Sequence, residues 1–522
     1  MTDYLVGIDL GSTSLKSVVY DLSGTAVASG TRPTERRHPH PDHPDWTAWD
    51  PDQIWHGAAS ATREAVERLP DARGIRAVAV TGMGMDGVPV DGEGRWLYPF
   101  ISWLCPRTEP QRAWWEKEIG AARTFAIGGN TLWRHSTALR LLWMAENEPD
   151  ILRRTDKWLL IEDYLNFMLC GRRATDYSMA SCTLLFDQER REWSGEMIGR
   201  AGLPAGLLCD PMPSGTVLGE VTAAAAALTG LPVGTPVVLG GHDYLCGALP
   251  VGAVEPGVFL DVSGTWEVVL AAIPRPVLTP GLQEIGATVE CHVARDMYSA
   301  MGSAVASEVL EWYRREYGQE AKRLADTRGC VDWDCLMEEA AAAPAGCRGV
   351  MCVPHLYGAG CPVVDPRARG AFVGLGPSTT RADMLRAVVE GLDFQLHDIV
   401  DALERNLSLP VKKLVVVGGA SRNPFWLQNK ADVTGRPIEV PAVQDTSPLG
   451  AAMLAGIGVG LYRDEKDACA RVSRPVTTWA PDSRAAARYA SLFPLYRQLR
   501  GCLGPVHQAI EKGQEQETGS GS

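Results

Sequence analysis

Short β-branched apolar runs alternate with longer segments of helical period along this chain, and this alternation predicts an α/β protein. The first predicted helix has a typical start, with Asp50 as N-cap and a proline in the first turn. The predicted strands are Tyr4–Asp9, Lys16–Asp21, Ala77–Thr81, Pro236–Gly240, Val258–Val262 and Lys413–Val417. The predicted helices are Pro51–Arg68, Pro106–Ile119, Thr137–Glu146, Arg381–Glu404 and Pro448–Gly460.

Two polar turns of similar sequence lie about half a chain length apart. Asp9-Leu-Gly-Ser-Thr13 stands between two apolar runs, and Asp261-Val-Ser-Gly-Thr265 stands in the same setting. Each turn predicts a β-hairpin with a glycine-bearing tip. Gly-Ser-Thr turns are common, so one alone would indicate little. Two of them predict two related halves that face a shared cleft.

The length of 522 residues fits two large domains, and 45% hydrophobic with 22% charged residues is typical of globular proteins. The apolar runs are too short for a membrane span. The N-terminus enters a strand at once, without a basic or cleavable apolar segment, which favours a cytoplasmic protein. The thirteen cysteines show no Cys-x-x-Cys pairs, and we expect reduced thiols.

A net charge of −13 argues against a nucleic-acid partner, which would need a basic face. The same charge is compatible with an anionic small molecule, because backbone N–H groups and metal ions can supply local positive potential.

Two segments are expected to be irregular. The segment Arg32–Asp50 contains His38, His40 and His43 among prolines. This spacing matches no face of a helix or strand, so we expect an extended loop rather than a metal site. The segment Gln514–Ser522 ends in Gly-Ser-Gly-Ser, which is typical of a disordered tail.

The first turn carries groups suited to a phosphate site. Gly11 allows close approach of the backbone, Ser12 and Thr13 offer hydroxyl donors, and Asp9 can hold a metal ion through water. Lys16 is a candidate phosphate contact, although an exposed lysine at a strand end is equally plausible. The segment matches neither Gly-x-x-x-x-Gly-Lys-Ser/Thr nor Gly-x-Gly-x-x-Gly.

Two later glycine turns offer similar chemistry. Gly264 and Thr265 repeat the donors of the first turn in the second half. Gly418, Gly419 and Asn423 lie between a strand and a helix, where a ribose or a flat ring can approach the backbone. Taken alone, this third turn would be interpreted as an ordinary strand-to-helix connection.

Asp243 follows a predicted strand and two glycines. The carboxyl end of a strand is where α/β proteins place reactive groups, and a carboxylate there can take a proton from a substrate hydroxyl. The alternative is a helix N-cap.

In this order the motifs resemble the FGGY family of carbohydrate kinases, from about Tyr4 to about Arg497. The stretches Asp176–Ser178, Gly370–Leu375 and Asp383–Glu390 are also similar to family motifs. The resemblance implies two actin-like, ribonuclease-H-like domains around an ATP–sugar cleft. It implies a domain over 1–245 with the catalytic Asp243, and a domain over 246–502 with the second phosphate loop and the adenosine motif. We expect residues 503–522 to form a disordered tail.

The resemblance also implies roles for individual residues. Asp243 would be the general base, and Asp9 would orient Mg²⁺ through water. The implied ATP contacts are Gly11, Ser12, Thr13, Lys16, Gly264, Thr265, Gly418, Gly419 and, more weakly, Asn423. The implied sugar contacts are Met85, Asp86, Trp103, Arg107, Trp133, His135 and Tyr244, with ordinary packing as the alternative for each tryptophan.

Within the family, the substrate-side motifs are most similar to those of the L-fuculokinases, which implies a ketose such as L-fuculose as substrate. Met85 or Tyr244 would then contact the methyl group of a 6-deoxy sugar. D-ribulose, D-xylulose and a branched ketopentose are the alternatives. A non-catalytic, actin-like ATP-binding regulator is the alternative of another class, and the presence of Asp243 disfavours it. We allow for a homodimer, for which the sequence shows no contact.

Overall fold

A computed structural model describes residues 2–443, 445–472 and 474–519. The strands of the first half are β1 (Tyr4–Leu10), β2 (Ser14–Asp21), β3 (Ala26–Pro33), β4 (Ala48–Trp49), β5 (Ile75–Gly82), β6 (Gly87–Val90), β7 (Phe100–Ile101), β8 (Lys157–Leu160), β9 (Ala174–Asp176), β10 (Phe186–Asp187), β11 (Glu192–Trp193), β12 (Asp210–Met212), β13 (Val217–Glu220) and β14 (Pro236–His242). The strands of the second half are β15 (Val258–Ser263), β16 (Trp266–Ile273), β17 (Thr288–Cys291), β18 (Tyr298–Val305), β19 (Met351–Val353), β20 (Ala371–Val373), β21 (Lys413–Gly418), β22 (Ile438–Pro441) and β23 (Val476–Trp479).

Helices connect and cover these strands. Those of the first half are α1 (Pro51–Glu67), α2 (Glu109–Glu118), α3 (Ala121–Gly128), α4 (Thr137–Asn147), α5 (Pro149–Arg154), α6 (Ile161–Cys170), α7 (Tyr177–Ser181), α8 (Gly195–Arg200), α9 (Ala223–Thr229) and α10 (Asp243–Ala248). Those of the second half are α11 (Pro280–Glu284), α12 (Ser307–Tyr317), α13 (Gln319–Arg328), α14 (Asp332–Ala342), α15 (Arg381–Leu407), α16 (Pro424–Thr434), α17 (Thr446–Gly458), α18 (Glu465–Val472) and α19 (Ser483–Gly519).

Two sheets of the same design form the centres of the two halves. Their strand orders are β13-β14-β5-β1-β2-β3 and β17-β18-β16-β15-β21-β22-β23. In each sheet an antiparallel hairpin, β1–β2 or β15–β16, continues into a third antiparallel strand on one side and two parallel strands on the other. The predicted duplication is therefore confirmed. We call the first sheet with the elements packed on it the first lobe, and the second sheet with its elements the second lobe.

Strand β1 is apolar almost throughout because helices cover both faces of its sheet. Val6 and Ile8 belong to the same apolar cluster as residues of α1, whose start is capped by Asp50 as the sequence predicts. Leu5, on the opposite face, belongs to a cluster that includes residues of α17. A Cβ atom on Gly7 would lie 1.9 Å from the carbonyl oxygen of Pro448, so α17 packs directly on the strand.

Helix α17 belongs to the second half of the sequence but packs on the sheet of the first half. It lies within the predicted second domain, yet its Leu449 and Met453 pack on the first sheet. It also crosses α10 so closely that a Cβ on Gly450 would lie 1.8 Å from the carbonyl oxygen of Cys246. Division of the sequence at residue 245 therefore does not follow the packing, because residues 446–458 complete the first lobe.

The C-terminal segment is helical beyond the end expected from the sequence. Helix α19 continues to Gly519 and contains Pro505. Leu499 and Leu503 pack against the apolar cluster of Phe394, and His507 accepts a hydrogen bond from the backbone N–H of Arg369 at 3.4 Å. These anchors give the segment a surface to fold on. The structure thus describes a helix as far as Gly519 where the sequence predicts a disordered tail over 503–522, and residues 520–522 lie outside the described residues.

The histidine-rich segment is irregular between β3 and β4, as expected. His38 is hydrogen-bonded to the carbonyl of Pro44 at 2.8 Å, and the ring of His43 stacks on Trp46 with centroids 4.2 Å apart. Among the residues that the structure describes, side chains suited to metal binding do not gather in groups of three or more. Within the same residues, no helix is both long enough and apolar enough to cross a membrane.

Candidate active site

The two hairpin tips are tight turns at the ends of central strands. The N–H of Gly11 donates to the carbonyl of Ser14 at 3.1 Å, and the N–H of Gly264 donates to that of Trp266 at 2.9 Å. Thr13 and Thr265 are exposed at these tips, so their hydroxyls are accessible to a ligand. Ser12 and Trp266 line one cavity, which places both tips at the same cleft.

A third turn lies beside the second hairpin. Gly418 ends β21 with a φ of +93°, and a Cβ there would lie 2.5 Å from the carbonyl oxygen of Ser263. Only glycine fits this close approach without strain. Gly419 begins the next turn, and the side-chain oxygen of Asn423 accepts from the N–H of Trp426 at 2.9 Å. Asn423 thus caps α16, while the two glycines leave open backbone next to the hairpin.

Two carboxyl groups from distant parts of the chain, those of Asp243 and Asp445, act on Asp9 at the first tip. Asp9 is the penultimate residue of β1, and burial, with repulsion from Asp243 and Asp445, raises its pKa to about 8, although Lys16 opposes this shift. The Nζ atom of Lys16 lies 2.6 Å from Oδ1 of Asp445. Carboxylate oxygens are the ligands that Mg²⁺ prefers in proteins, so Asp9 and Asp445 fit a magnesium site.

Asp243 stands where β14 turns into α10. Gly240, within β14, packs so closely on β5 that a Cβ there would lie 1.9 Å from the carbonyl oxygen of Val80. One Asp243 carboxylate oxygen accepts from the N–H of Tyr244 at 2.7 Å, and burial raises the pKa of this carboxyl to about 6. The carboxylate does not cap the helix, since His242 occupies the N-cap position. Asp243 is therefore available to a ligand.

A cavity of about 300 Å³ opens at Asp243 and takes its walls from both lobes. Its apolar lining includes Met83 of the first lobe and Val268 and Met301 of the second. The predicted site residues that the structure brings together in its wall are Ser12, Met85, Trp103, Trp133, His135, Asp243 and Tyr244. The rings of Trp133 and His135 are stacked with centroids 5.8 Å apart, and burial lowers the pKa of His135 to about 3, so its imidazole is neutral.

Met85 is held in the cavity wall by an unusual backbone. Its φ is +76°, in the left-handed region that non-glycine residues seldom adopt. Its carbonyl accepts hydrogen bonds from the guanidinium of Arg140 at 2.6 Å and the hydroxyl of Thr137 at 2.8 Å. Arg140 in turn lies 2.9 Å from Asp86, and both side chains are buried.

Asp86 and Arg107 lie behind the cavity rather than in its lining. The indole N–H of Trp49 donates to Asp86 at 2.7 Å, which adds to the contact with Arg140. The guanidinium of Arg107 lies over the rings of Trp46 and Trp143, 4.3 and 4.9 Å from their centroids. The structure therefore does not bring these two side chains together with the seven that line the cavity.

Three site residues were missed from the sequence. Asp445 precedes α17, far along the chain from the hairpin it approaches. It lies in a stretch, 432–452, that is similar to the family, yet the sequence predicts no role for it. His242 is buried and neutral, and its Nε2 accepts from the N–H of Gly84 at 3.0 Å. Glu290 lies on β17, lines the cavity and accepts from the hydroxyl of Tyr244. Strand periodicity predicts only that Glu290 faces one side of a sheet, and this is too weak a signal to identify it as a site residue.

Comparison with known proteins agrees with this architecture. Residues 4–250 match the N-terminal domain of the FGGY family of carbohydrate kinases, and residues 261–459 match its C-terminal domain. The L-fuculokinase of Escherichia coli strain K12 is 32% identical over 470 residues, which cover 90% of this chain and 95% of that protein. The autoinducer-2 kinase of Yersinia enterocolitica is 30% identical over 516 residues, with 94% and 92% covered.

Solved structures show the same fold. The xylulose kinase from Rhodospirillum rubrum matches with a TM-score of 0.87 at 29% identity, covering 97% of this chain and 100% of that one. The gluconate kinase from Lactobacillus acidophilus matches with a TM-score of 0.88 at 23% identity, covering 98% of this chain and 100% of that one. At this identity the match shows a shared fold only. The two matching domain models, the relatives and the shared architecture lead to one conclusion: the chain belongs to the FGGY family of carbohydrate kinases.

Proposed function

We propose that this carbohydrate kinase transfers the γ-phosphoryl group of ATP to a primary hydroxyl of a small neutral ketose, with Asp243 as the general base. The observation that carries the proposal is the position of Asp243, a carboxylate in the wall of an otherwise mostly apolar cavity that also receives the tip of the first hairpin. Its pKa near 6 leaves it ionised at neutral pH, ready to accept a proton.

A sugar hydroxyl oxygen forms a bond to the γ-phosphorus while its proton moves to Asp243. The bond between that phosphorus and the bridging oxygen breaks, and ADP leaves with the electron pair. Such transfers pass through a loose transition state, so most of the acceleration comes from positioning and from neutralising phosphate charge.

The hairpin tips supply the proposed phosphate contacts. Backbone N–H groups and hydroxyls at Gly11, Ser12 and Thr13 would act from the first lobe, and those at Gly264 and Thr265 from the second. The accessible threonines at both tips support this role. The open backbone of Gly418 and Gly419 would accept the adenosine, and Asn423 would help indirectly by capping α16.

Asp9, with Asp445 near it, is the proposed holder of Mg²⁺, since these two carboxylates fit a hard cation. When bound, this ion would neutralise phosphate charge. Lys16 pairs with Asp445 and would keep the cluster from accumulating uncompensated negative charge.

L-fuculose is the first candidate for the acceptor. The relative named L-fuculokinase supports it, as does an apolar lining suited to the methyl group of a 6-deoxy sugar. Met85 would contact that methyl group, while Trp103 and Trp133 would face the C–H side of the sugar. Asp86 and Arg107 would not contact the sugar directly, and would instead support the cavity wall from behind.

The relative named autoinducer-2 kinase supports a second candidate, since it is nearly as similar and covers more of this chain. D-ribulose, D-xylulose and a branched ketopentose remain the sugar alternatives, and the relative named xylulose kinase supports one of them. The proposed partners are the sugar and ATP. The proposed assembly is a homodimer, and the proposed location is the cytoplasm.

An ADP-release assay across a panel of acceptors tests the proposal. The panel holds L-fuculose, D-ribulose, D-xylulose, a branched ketopentose, autoinducer-2, glycerol and D-gluconate. We expect the highest kcat/KM with L-fuculose and negligible ADP release with D-gluconate. A higher value for autoinducer-2 would replace L-fuculose by the second candidate. ADP release that no acceptor stimulates would contradict the assignment of a sugar as substrate.

A further inference from the structure

Glu290 is a buried carboxyl group that the second lobe contributes to the acceptor cavity. It lies on β17, only 1% exposed, and lines the cavity together with Asp243 and Tyr244 of the first lobe. The hydroxyl of Tyr244 donates to one of its oxygens. The proposed phosphoryl transfer leaves Glu290 without a role.

The charge of Glu290 is poorly compensated within the protein. The residues that line the cavity include neither lysine nor arginine among those that the structure describes. The two histidines in the lining, His135 and His242, are kept neutral because burial lowers both their pKa values to about 3. Burial accordingly raises the pKa of Glu290 to about 7, and the Tyr244 hydrogen bond only partly opposes that shift.

A carboxylate has about four acceptor positions, and the Tyr244 hydroxyl fills one of them. Leaving the others unsatisfied in a buried site costs free energy. Hydroxyl groups of a neutral sugar are donors of the right kind, because they satisfy these positions without adding charge. A second anion would do the opposite above pH 7, where the carboxylates of Asp243 and Glu290 both face the cavity.

We propose that Glu290, oriented by Tyr244, is the residue that selects the acceptor: it accepts a hydrogen bond from a sugar hydroxyl and excludes sugar acids. This inference rests on the proposed function and deepens it, because it defines the substrate class as neutral polyhydroxy compounds. It also gives the second lobe a direct part in sugar recognition. Glu290 binds rather than reacts, so its loss acts mainly on KM.

The test compares Glu290→Gln with the wild type on three kinds of acceptor. These are L-fuculose, its analogues that each lack one hydroxyl other than the phosphorylated one, and D-gluconate as a sugar acid. Because hydrogen bonds to charged groups are strong, kcat/KM for L-fuculose should fall roughly 10- to 150-fold, mostly through KM. One deoxy analogue should be unaffected by the substitution, and D-gluconate should gain activity or affinity. Calorimetric binding of each acceptor accompanies the turnover assays.

Tyr244→Phe is the second variant, since it removes the hydroxyl that orients Glu290 and keeps the ring. If Glu290→Gln does not fold, Tyr244→Phe tests the proposal in its place. It should show the same loss of discrimination between L-fuculose, its deoxy analogues and D-gluconate, but to a smaller degree. Equal effects on L-fuculose and on every deoxy analogue, or unchanged exclusion of D-gluconate, would overturn the proposal. The proposed function is judged separately, by whether any neutral acceptor of the panel stimulates ADP release by the wild type. If it prefers another neutral acceptor, the same ratios are measured on that acceptor and its deoxy analogues.

Discussion

At the residue scale, this site relies on carboxyl groups held in surroundings that disfavour their charge. Burial raises the pKa of Asp9, Asp243 and Glu290, and each of them has few hydrogen-bond donors within the protein. Such groups gain the most from a ligand that brings a cation, a proton or hydroxyl donors. Removal of one of them should therefore affect ligand chemistry more than folding.

Asp243→Asn is the first substitution to make. The amide cannot accept the hydroxyl proton, so kcat should fall by roughly 10²- to 10⁴-fold while ATP binding is preserved. Stopped or continuous ADP-release assays give kcat, and calorimetry gives ATP affinity. Asp42→Asn, at an exposed residue outside the cavity, is the matched control and should behave as wild type. Full activity in the Asp243 variant would remove Asp243 from the role of base.

The pH dependence of kcat, measured at saturating acceptor so that ionisation of Glu290 does not limit binding, should follow Asp243. The ionised carboxylate is the active form, and its raised pKa near 6 means that activity is present above this pH and is lost as pH falls through it. A group with the ordinary aspartate pKa would keep its activity down to about pH 4. A rate profile in buffers of constant ionic strength distinguishes the two, and an acid limb centred near 4 would contradict the shifted value.

Asp86→Ala should act on stability as well as on sugar binding. It leaves buried Arg140 without its partner, and loss of one member of a buried pair costs about 3–5 kcal/mol. The KM for the sugar should rise more than the KM for ATP, because Arg140 holds the carbonyl of Met85. Urea unfolding and two-substrate kinetics measure both effects.

The matched control is Asp296→Ala. Asp296 is an exposed residue that pairs with Arg191 at 2.8 Å, and such a pair contributes only about 0–1 kcal/mol. An equal loss in the free energy of unfolding in the two variants would show that the buried pair contributes no more to stability than the exposed pair.

At the scale of elements, the crossing of α10 and α17 is the tightest contact between helices described above. Gly450→Ala would place a Cβ against the carbonyl of Cys246, and overpacking of this kind costs about 1–3 kcal/mol. Gly199→Ala, on α8 with open space around its Cβ, is the control and should be neutral or slightly stabilising. Denaturant midpoints of both variants measure the difference. An unaltered midpoint for the Gly450 variant would mean that the helices separate at little cost.

The eleven elements predicted from the sequence are all present to within a few residues of their predicted ends, because their signals are local. The strand β1 and the helix α1 begin where the apolar runs and the Asp50 cap place them. What sequence reasoning cannot supply is the partner of an element. Helix α17 is apolar on nearly every side, so its composition fits either sheet, and only the assembled structure shows which one it covers.

The same distinction applies to the site. Of the seven predicted cavity residues, Ser12 and Asp243 stand beside glycine turns whose chemistry the sequence indicates. The other five are implied by the resemblance to the family, whereas Glu290 stands in an ordinary strand. Asp86 and Arg107 also stand in a motif, yet the structure places them one layer behind the cavity. A motif therefore identifies the region of a site, while the side chains that face a ligand depend on packing between lobes.

At the scale of the whole molecule, a cavity shared by two lobes predicts that a bound sugar protects backbone amides of both lobes from hydrogen exchange. Acceptor alone should slow amide hydrogen exchange in α10 of the first lobe and in β17 of the second, because the cavity lining comes from both. D-gluconate, which the site should reject, is the negative control. Protection confined to the first lobe would mean that the second lobe engages only after nucleotide binds.

The passage of α17 onto the first lobe has a consequence for how the chain is made. The strands of the first sheet are complete at His242, about 200 residues before the helix that covers one of their faces, so a ribosome adding about 5–20 residues per second leaves that face bare for about 10–40 s. Nascent chains therefore carry an exposed apolar surface that includes Leu5, Ala77 and Ala79. Translation stalled before Thr446 yields a product that aggregates unless a chaperone shields this surface.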